Sequence, residues 1–376
     1  MALSRIALFA LIAFSLLPLL GQPYEIGHVF ITFQDSARGN RSVPVHLYYP
    51  ADAPGDGVPV AAGTEKFPPV SFGHGFLMVW SAYENIWSAL VPQGFIVALP
   101  ATEGGLLPSH LNFARDLAFV IRAVQAEGEN PASMFYQRVD SACAVMGHSM
   151  GGGASFLAAA ENPWITALAN LAAAETNPSA IAAAADVALP SLVFAGGNDC
   201  VTPPAAQQIP LYNALASTCK TYIEITGATH CQFAENNSIC NLGEIGCAPA
   251  AISRAQQHQT VSDYLLPWLK AVLQRDVSAW ESFQTLLSGD PRITYGQNAE
   301  LRGDVDGNSE VNSTDALVIL SYDAALPIPS AFQQRIAAGI GDANADGQTN
   351  STDALLVLSF DAGIAIPFPV GLPTCL

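Results

Sequence analysis

The run Val145-Met-Gly-His-Ser-Met-Gly-Gly-Gly153 constrains the fold of this chain more than any other stretch. The apolar segment Cys143-Ala-Val-Met-Gly147 leads into it and reads as a short buried strand; Ala154-Ser-Phe-Leu-Ala-Ala-Ala160 leads out of it and reads as a helix. Between them, Gly147-His148-Ser149-Met150-Gly151 matches G-x-S-x-G. The small residues let the backbone reverse so tightly that a serine hydroxyl stands exposed at the end of a strand. The next amide then points to where an oxyanion would form. A serine between a strand and a helix can also simply cap the helix. The strand before and the helix after are the context the motif requires, so Ser149 is the candidate nucleophile.

The flanking sequence fits such a setting. His28–Phe33 and Val43–Tyr49 read as antiparallel strands joined by a turn around Arg38-Gly-Asn40. Pro69–Phe72 is a short strand ending in Gly73-His74-Gly75-Phe76, 82–90 is a helix, and Gly94–Leu99 is a buried strand. Phe113, Leu117, Val120, Ile121 and Val124 recur at helical spacing within 111–126. Ala167–Leu171 is strand-like, and Ser191–Ala195 is a strand followed by Gly196-Gly-Asn-Asp199. A helix over 205–216, a last strand over Thr221–Ile225 and a helix over 251–273 complete the unit. Strands alternating with helices imply an α/β fold with a mostly parallel sheet covered on both faces, whose ligands bind at the carboxyl ends of the strands.

The chain has 376 residues, half of them apolar, which suits two domains and a large core. A net charge of −18 without a basic patch excludes nucleic acid as a partner. Residues 1–22 combine Arg5, an apolar run to Leu20 and a small residue at Gly21, as in an export signal rather than a transmembrane anchor. The mature protein is therefore expected to be secreted. Seven cysteines fit that compartment. Of Cys143, Cys200, Cys219, Cys231, Cys240, Cys247 and Cys375, four crowd the segments around Asp199 and His230, where disulfides are favoured over metal ligation; the pairing is not legible, and the odd count leaves at least one unpaired or intermolecular.

A serine needs a base, and the base needs an orienting acid. In a fold with this motif the chain order is Ser, then Asp or Glu, then His. His230 follows the last strand through Gly227-Ala-Thr, whereas His258 lies in a Gln-rich helical stretch and is expected to be solvated. Asp199 directly follows a strand; its rivals are Asp186, at the wrong end of that strand, and Glu175, after Ala167–Leu171. The oxyanion donors are expected to be the amides of Met150 and Phe76, with the Phe76 ring as a pocket wall unless it is a plain core aromatic. No cofactor is needed for this chemistry.

The elbow, the Gly-x-Asn-Asp turn carrying Asp199 and Gly-Ala-Thr-His230 together resemble the bacterial cutinase and polyester (PET) hydrolase group of α/β-hydrolases over about 25–275, and more distantly chlorophyllase and dienelactone hydrolase. The resemblance implies hydrolysis of an ester or polyester through an acyl-enzyme, with Ser149, His230 and Asp199 as the relay. The family's Gly-Tyr is Gly75-Phe76 here, and its Pro-Trp-Asp segment has no counterpart in Ala172-Ala-Ala-Glu175-Thr-Asn177. His148, Glu175 and Trp80 are accordingly candidate substrate contacts, with Trp80 and Trp87 supplying aromatic surface unless they only pack a helix. The insertion from Cys231 to Cys247 is unusual for the group. A lipase- or chlorophyllase-like esterase, or a scaffold-bound module with a degenerate hydrolase domain, are the alternatives.

The catalytic domain is expected over 23–275 and a connector over 276–301. Beyond it the chain is acidic and repeats itself: Gly303–Leu317 returns as Gly341–Leu355. Oxygen-bearing residues fall at positions 1, 3, 5, 9 and 12 of a calcium loop: Asp304, Asp306, Asn308, Asn312 and Asp315, then Asp342, Asn344, Asp346, Asn350 and Asp353. Gly347 holds the sharp-turn position in the second loop and Ser309 in the first, so the first is expected to bind Ca2+ more weakly. These repeats resemble the type I dockerin module over 302–368. That resemblance implies a cohesin-type scaffold partner recognised through Ser313, Thr314, Ser351 and Thr352.

Overall fold

A computed structural model describes residues 23–376; the expected export signal, 1–22, lies outside the described residues. One ten-stranded sheet organises the chain. In chain order the strands are β1 (Glu25–Asp35), β2 (Arg41–Ala51), β3 (Gly55–Asp56), β4 (Pro69–Gly73), β5 (Ile96–Pro100), β6 (Ala144–His148), β7 (Ala167–Leu171), β8 (Ser191–Gly196), β9 (Cys219–Ile225) and β10 (Ile293–Ala299). Across the sheet they run β10-β9-β8-β7-β6-β4-β5-β2-β1-β3. The six strands from β5 to β9 in that order are parallel, and β2 and β10 flank them antiparallel.

The central strands read as unbroken apolar runs because both of their faces are covered. In β6, Ala144 and Met146 join one core with Trp268 and Leu269, while Val145 joins the other with Phe156. The first core is roofed by α1 (Glu84–Leu90), and the second by α2 (His110–Glu129), α3 (Met150–Glu161), α4 (Ala180–Ala184) and α5 (Gln208–Ala214). A short helix, α6 (Ser238–Gly243), precedes α7 (Arg254–Gln274), which covers the first core together with α8 (Val277–Gly289).

The stretch 276–301 is thus not a connector. Ala279, Trp280, Phe283 and Leu287 bury one stripe of α8 beside α7, and β10 pairs with β9 along its whole length. A helix with a three-to-four-residue apolar period must cover that stripe, and the neighbouring core does so.

The tail carries α9 (Ser313–Asp323), α10 (Ser330–Ala337) and α11 (Ser351–Asp361) around a small core of Val305, Ile319, Ile336 and Val357. α9 and α11 cap each other: Ser313 N–H donates to the Asp361 carboxylate and Ser351 N–H to the Asp323 carboxylate, each at 2.8 Å. The tail joins the sheet edge directly. Cys375 is disulfide-bonded to Cys219 of β9, and Thr374 N–H donates to the Glu300 carbonyl at 2.8 Å. Among the described residues no helix is long and apolar enough to cross a membrane.

Candidate active site

Ser149 occupies the turn between β6 and α3 with φ 55° and ψ −120°, a conformation L-residues rarely adopt. Three main-chain bonds hold it there: Ser149 N–H to the Leu171 carbonyl at 3.1 Å, and Gly153 and Ala174 N–H to the Ser149 carbonyl at 3.0 and 2.9 Å. The glycines make the turn possible by close approach. A Cβ on Gly151 would fall on the Gly73 carbonyl, and one on Gly147 on the backbone of Gly151. The Ser149 hydroxyl makes no capping bond to α3, so the helix-cap reading does not describe it.

The loops after β8 and β9 bring two more side chains to this rim. Asp199 Oδ2 lies 2.8 Å from His230 Nδ1, both groups buried. The other oxygen, Oδ1, accepts the amides of Val201 and Thr202, each at 2.8 Å. Thr202 Oγ1 donates to Asp199 Oδ2 at 2.8 Å and also lies 3.0 Å from His230 Nδ1. A carboxylate with both oxygens engaged cannot swing, so the imidazole it meets has one orientation. With Nδ1–H donated to Asp199, the neutral ring carries its lone pair on Nε2. Ser149 and His230 line one cavity of about 430 Å³ with Phe76, Leu77 and Met78. The Phe76 ring is 46% exposed there, which removes the core-aromatic reading. Asp186 is exposed beyond α4, away from this rim.

Three expected substrate contacts have other tasks. His148 is wholly buried; its Nδ1 lies 3.0 Å from the Tyr83 hydroxyl and its Nε2 3.1 Å from the His230 carbonyl. The side chain preceding Ser149 points down a covered strand, so it meets protein rather than ligand. The Glu175 carboxylate accepts the Ile181 amide at 3.0 Å in the first turn of α4, where a helix N-terminus favours negative charge. Trp80 stacks on His46 with centroids 3.9 Å apart, and Trp87 on Tyr48 at 4.2 Å; both pack the β2 side of the molecule. His258 is half-buried rather than solvated, with Nε2 3.2 Å from the Ala234 carbonyl.

Sequence reasoning missed the support behind the site. Gly75 N–H donates to the Tyr83 hydroxyl at 2.7 Å, and that hydroxyl reaches His148, whose far nitrogen meets the His230 carbonyl. A polar chain therefore ties the Gly75-Phe76 loop to the backbone of the imidazole. His74 adds a second tie, bridging the Gly75 and Thr102 carbonyls at 2.9 Å each. Burial and the nearby His230 hold the His148 pKa well below the usual histidine value. The unfolded chain takes up a proton at His148 below about pH 6.5 while the folded chain does not, so folding stability falls as the pH falls. We expect Tm to drop on acidification below that point, with one proton contributing about 1.4 kcal/mol per pH unit. In His148→Phe the slope from this group disappears, as thermal melts across pH 5–7 would register.

The cysteines pair as Cys200–Cys247, Cys231–Cys240 and Cys219–Cys375, leaving Cys143 free and buried in the core. The four crowded cysteines do form disulfides pinning the loops of Asp199 and His230.

In the tail, carboxylate oxygens of Asp304, Asp306 and Asp315 lie within 4.8 Å of one another. Such an all-oxygen, like-charged set suits a hard divalent cation. Asn344 stands in the second loop where the first has Asp306, and its amide donates to Asp346 Oδ2 at 2.8 Å. Asn312 and Asn350 also close the helices that follow the loops. Their side-chain oxygens cap α9 and α11 by accepting Thr314 and Thr352 N–H at 2.8 Å. Ser309 adopts φ 68° and Gly347 φ 89°, so both loops make the sharp turn.

Comparison with known proteins adds relatives to this geometry. The PET hydrolase-like family model matches residues 45–285, and the type I dockerin domain model matches 302–359. Cutinase est1 of Thermobifida alba is 31% identical over 147 residues, 39% of this chain and 41% of the relative. Cutinase 1 of Thermobifida cellulosilytica is 37% identical over 107 residues, 28% of this chain and 38% of the relative. A bis(hydroxyethyl) terephthalate hydrolase of Streptomyces coelicolor is 28% identical over 227 residues, 60% of this chain and 63% of the relative. The chain thus spans about two fifths of the length of the Thermobifida relatives it matches.

Proposed function

The chain belongs to the PET hydrolase-like family, and on that premise we propose that it is a serine carboxylester hydrolase working through an acyl-enzyme, with Ser149, His230 and Asp199 as its relay. The observation that carries this reading is the 2.8 Å contact between Asp199 and His230 at the rim of a cavity that Ser149 also lines. In this mechanism His230 Nε2 takes the proton of Ser149 Oγ as the oxygen attacks the ester carbonyl. Asp199, held by Thr202, stabilises the imidazolium that results. The amides of Met150 and Phe76 receive the oxyanion. Met150 is suited to this because the first amides of a helix have no intrahelical acceptor. His230 then protonates the departing alcohol, and water attacks the acyl-serine by the same route in reverse. Purified protein should hydrolyse p-nitrophenyl butyrate; a correctly folded sample with no turnover would overturn the proposal.

We further propose that the tail docks the enzyme on a cohesin-type partner outside the cell. Support comes from the type I dockerin match and from Ser313, Thr314 and Leu317, repeated as Ser351, Thr352 and Leu355, which stand exposed on α9 and α11. Asp304, Asp306, Asn308, Asn312 and Asp315 would hold Ca2+ in the first loop, and Asp342, Asn344, Asp346, Asn350 and Asp353 in the second. A divalent cation held there would neutralise the crowded carboxylates and so stabilise the fold around them. At a hundredfold excess over Kd each site contributes about 2.7 kcal/mol to stability. Chelation should therefore lower the melting transition of the tail and leave hydrolysis of p-nitrophenyl butyrate unchanged at 25 °C. Equal loss of both would assign calcium to the catalytic domain as well.

A further inference from the structure

Between His230 and α7 the chain makes a detour over 231–250 that carries α6. Two disulfides staple it, and both hang from the relay: Cys231, next to His230, bonds Cys240, while Cys200, next to Asp199, bonds Cys247. Cys231 N–H donates to Glu244 Oε1 at 2.8 Å, and Arg254 reaches the Cys231 and Ala234 carbonyls. On the opposite side Glu235 N–H donates to the Ala82 carbonyl at 2.8 Å. The detour is a cap fixed along its base.

The cap presents Ile239 and Leu242, one helical turn apart, to the cavity of Ser149 and His230; Leu77, Met78 and Val201 line it too. Leu242 is 63% exposed, an apolar side chain kept in water beside a reacting centre. Apart from the His230 imidazole, the lining carries a single aromatic ring, Phe76, and no other ionisable side chain among the described residues. Such walls give a flat aromatic acid one ring to stack on and no polar partner for a second carbonyl. A flexible alkyl chain, by contrast, gains from every methylene it buries.

We propose that this disulfide-stapled cap is the specificity-determining wall of the site, selecting esters of linear aliphatic acids over esters of aromatic ones, with Leu242 and Ile239 as the residues that read chain length. The inference rests on the esterase reading above.

The test is kcat/KM of the full chain for p-nitrophenyl esters from acetate to octanoate, with methyl 4-nitrophenyl terephthalate as the aromatic probe, so that every substrate releases the same p-nitrophenol. For the wild type it should climb by up to roughly fourfold per methylene and exceed that for the terephthalate ester. Leu242→Ser and Ile239→Ser should each cut the octanoate-to-butyrate ratio about tenfold, chiefly through KM. Leu242→Trp, which keeps the surface apolar but fills the cavity, should move the optimum to shorter acids. Ile245→Ser, on the same cap but outside the lining, should keep the wild-type ratio. An unchanged slope in Leu242→Ser, or a terephthalate ester outrunning octanoate, would overturn the proposal. Acetate turnover with a flat chain-length profile would remove the cap's role alone. A wild type inert toward every ester would remove the esterase reading together with it.

Discussion

Replacing Ser149 by alanine should lower kcat toward p-nitrophenyl butyrate by about 10⁶-fold and leave Tm essentially where it was. The two halves of this expectation come from different atoms. The fold uses Ser149 through its main chain, in bonds to Leu171, Gly153 and Ala174 that alanine keeps. The hydroxyl caps nothing, so its removal leaves no helix amide newly unpaired. On the proposed mechanism, what disappears is the attacking oxygen, while the oxyanion donors and the cavity remain to give a residual rate over water. Steady-state kinetics and a thermal melt on the same sample check both halves. A variant with near-normal kcat would mean that the acyl group never resided on this residue.

Asp199→Asn should cost about 10⁴-fold in kcat, again with the fold kept. An asparagine oxygen can still accept the Val201 and Thr202 amides that Asp199 Oδ1 accepts now. Its NH₂ would then face His230 Nδ1, where Oδ2 stands at 2.8 Å. Two donors cannot share that contact, so the imidazole must place its proton on Nε2, where the base is needed. The defect is one of tautomer and should appear in kcat rather than in KM for a short ester.

The parts of this site that were legible in the sequence are those whose chemistry is written locally. The elbow is readable because Gly147 and Gly151, having no Cβ, allow the approach of α3 to β4 and β6, and the motif spells those glycines out. Asp199 and His230 are readable because each directly follows a strand, and parallel strands deliver such residues to one rim. The duplicated tail is readable because the two loops repeat their oxygen-bearing residues at matching offsets.

What was not legible depends on contacts between distant segments. β10 has one buried residue, Ile293, and no alternation, because an edge strand needs only a neighbour's hydrogen bonds. Thr202 lies three residues past Asp199 in a Pro-rich turn, and only the folded loop brings it to the imidazole. His148 looked like a ligand contact because it adjoins the nucleophile in sequence; the strand's two-residue period sends it into the core toward Tyr83 instead. Glu175 and Trp80 sit near the rim in sequence, yet each found a partner in the protein, an α4 amide and the His46 ring.

The position of a covalent label reports which serine reacts. Treatment with a fluorophosphonate probe, followed by proteolysis and peptide mapping, should place one label per chain on Ser149 and abolish ester hydrolysis in the same proportion. Labelling should fail in His230→Ala. A label on another serine that inactivates the enzyme, or full activity in a sample quantitatively labelled at Ser149, would contradict the relay of Ser149, His230 and Asp199.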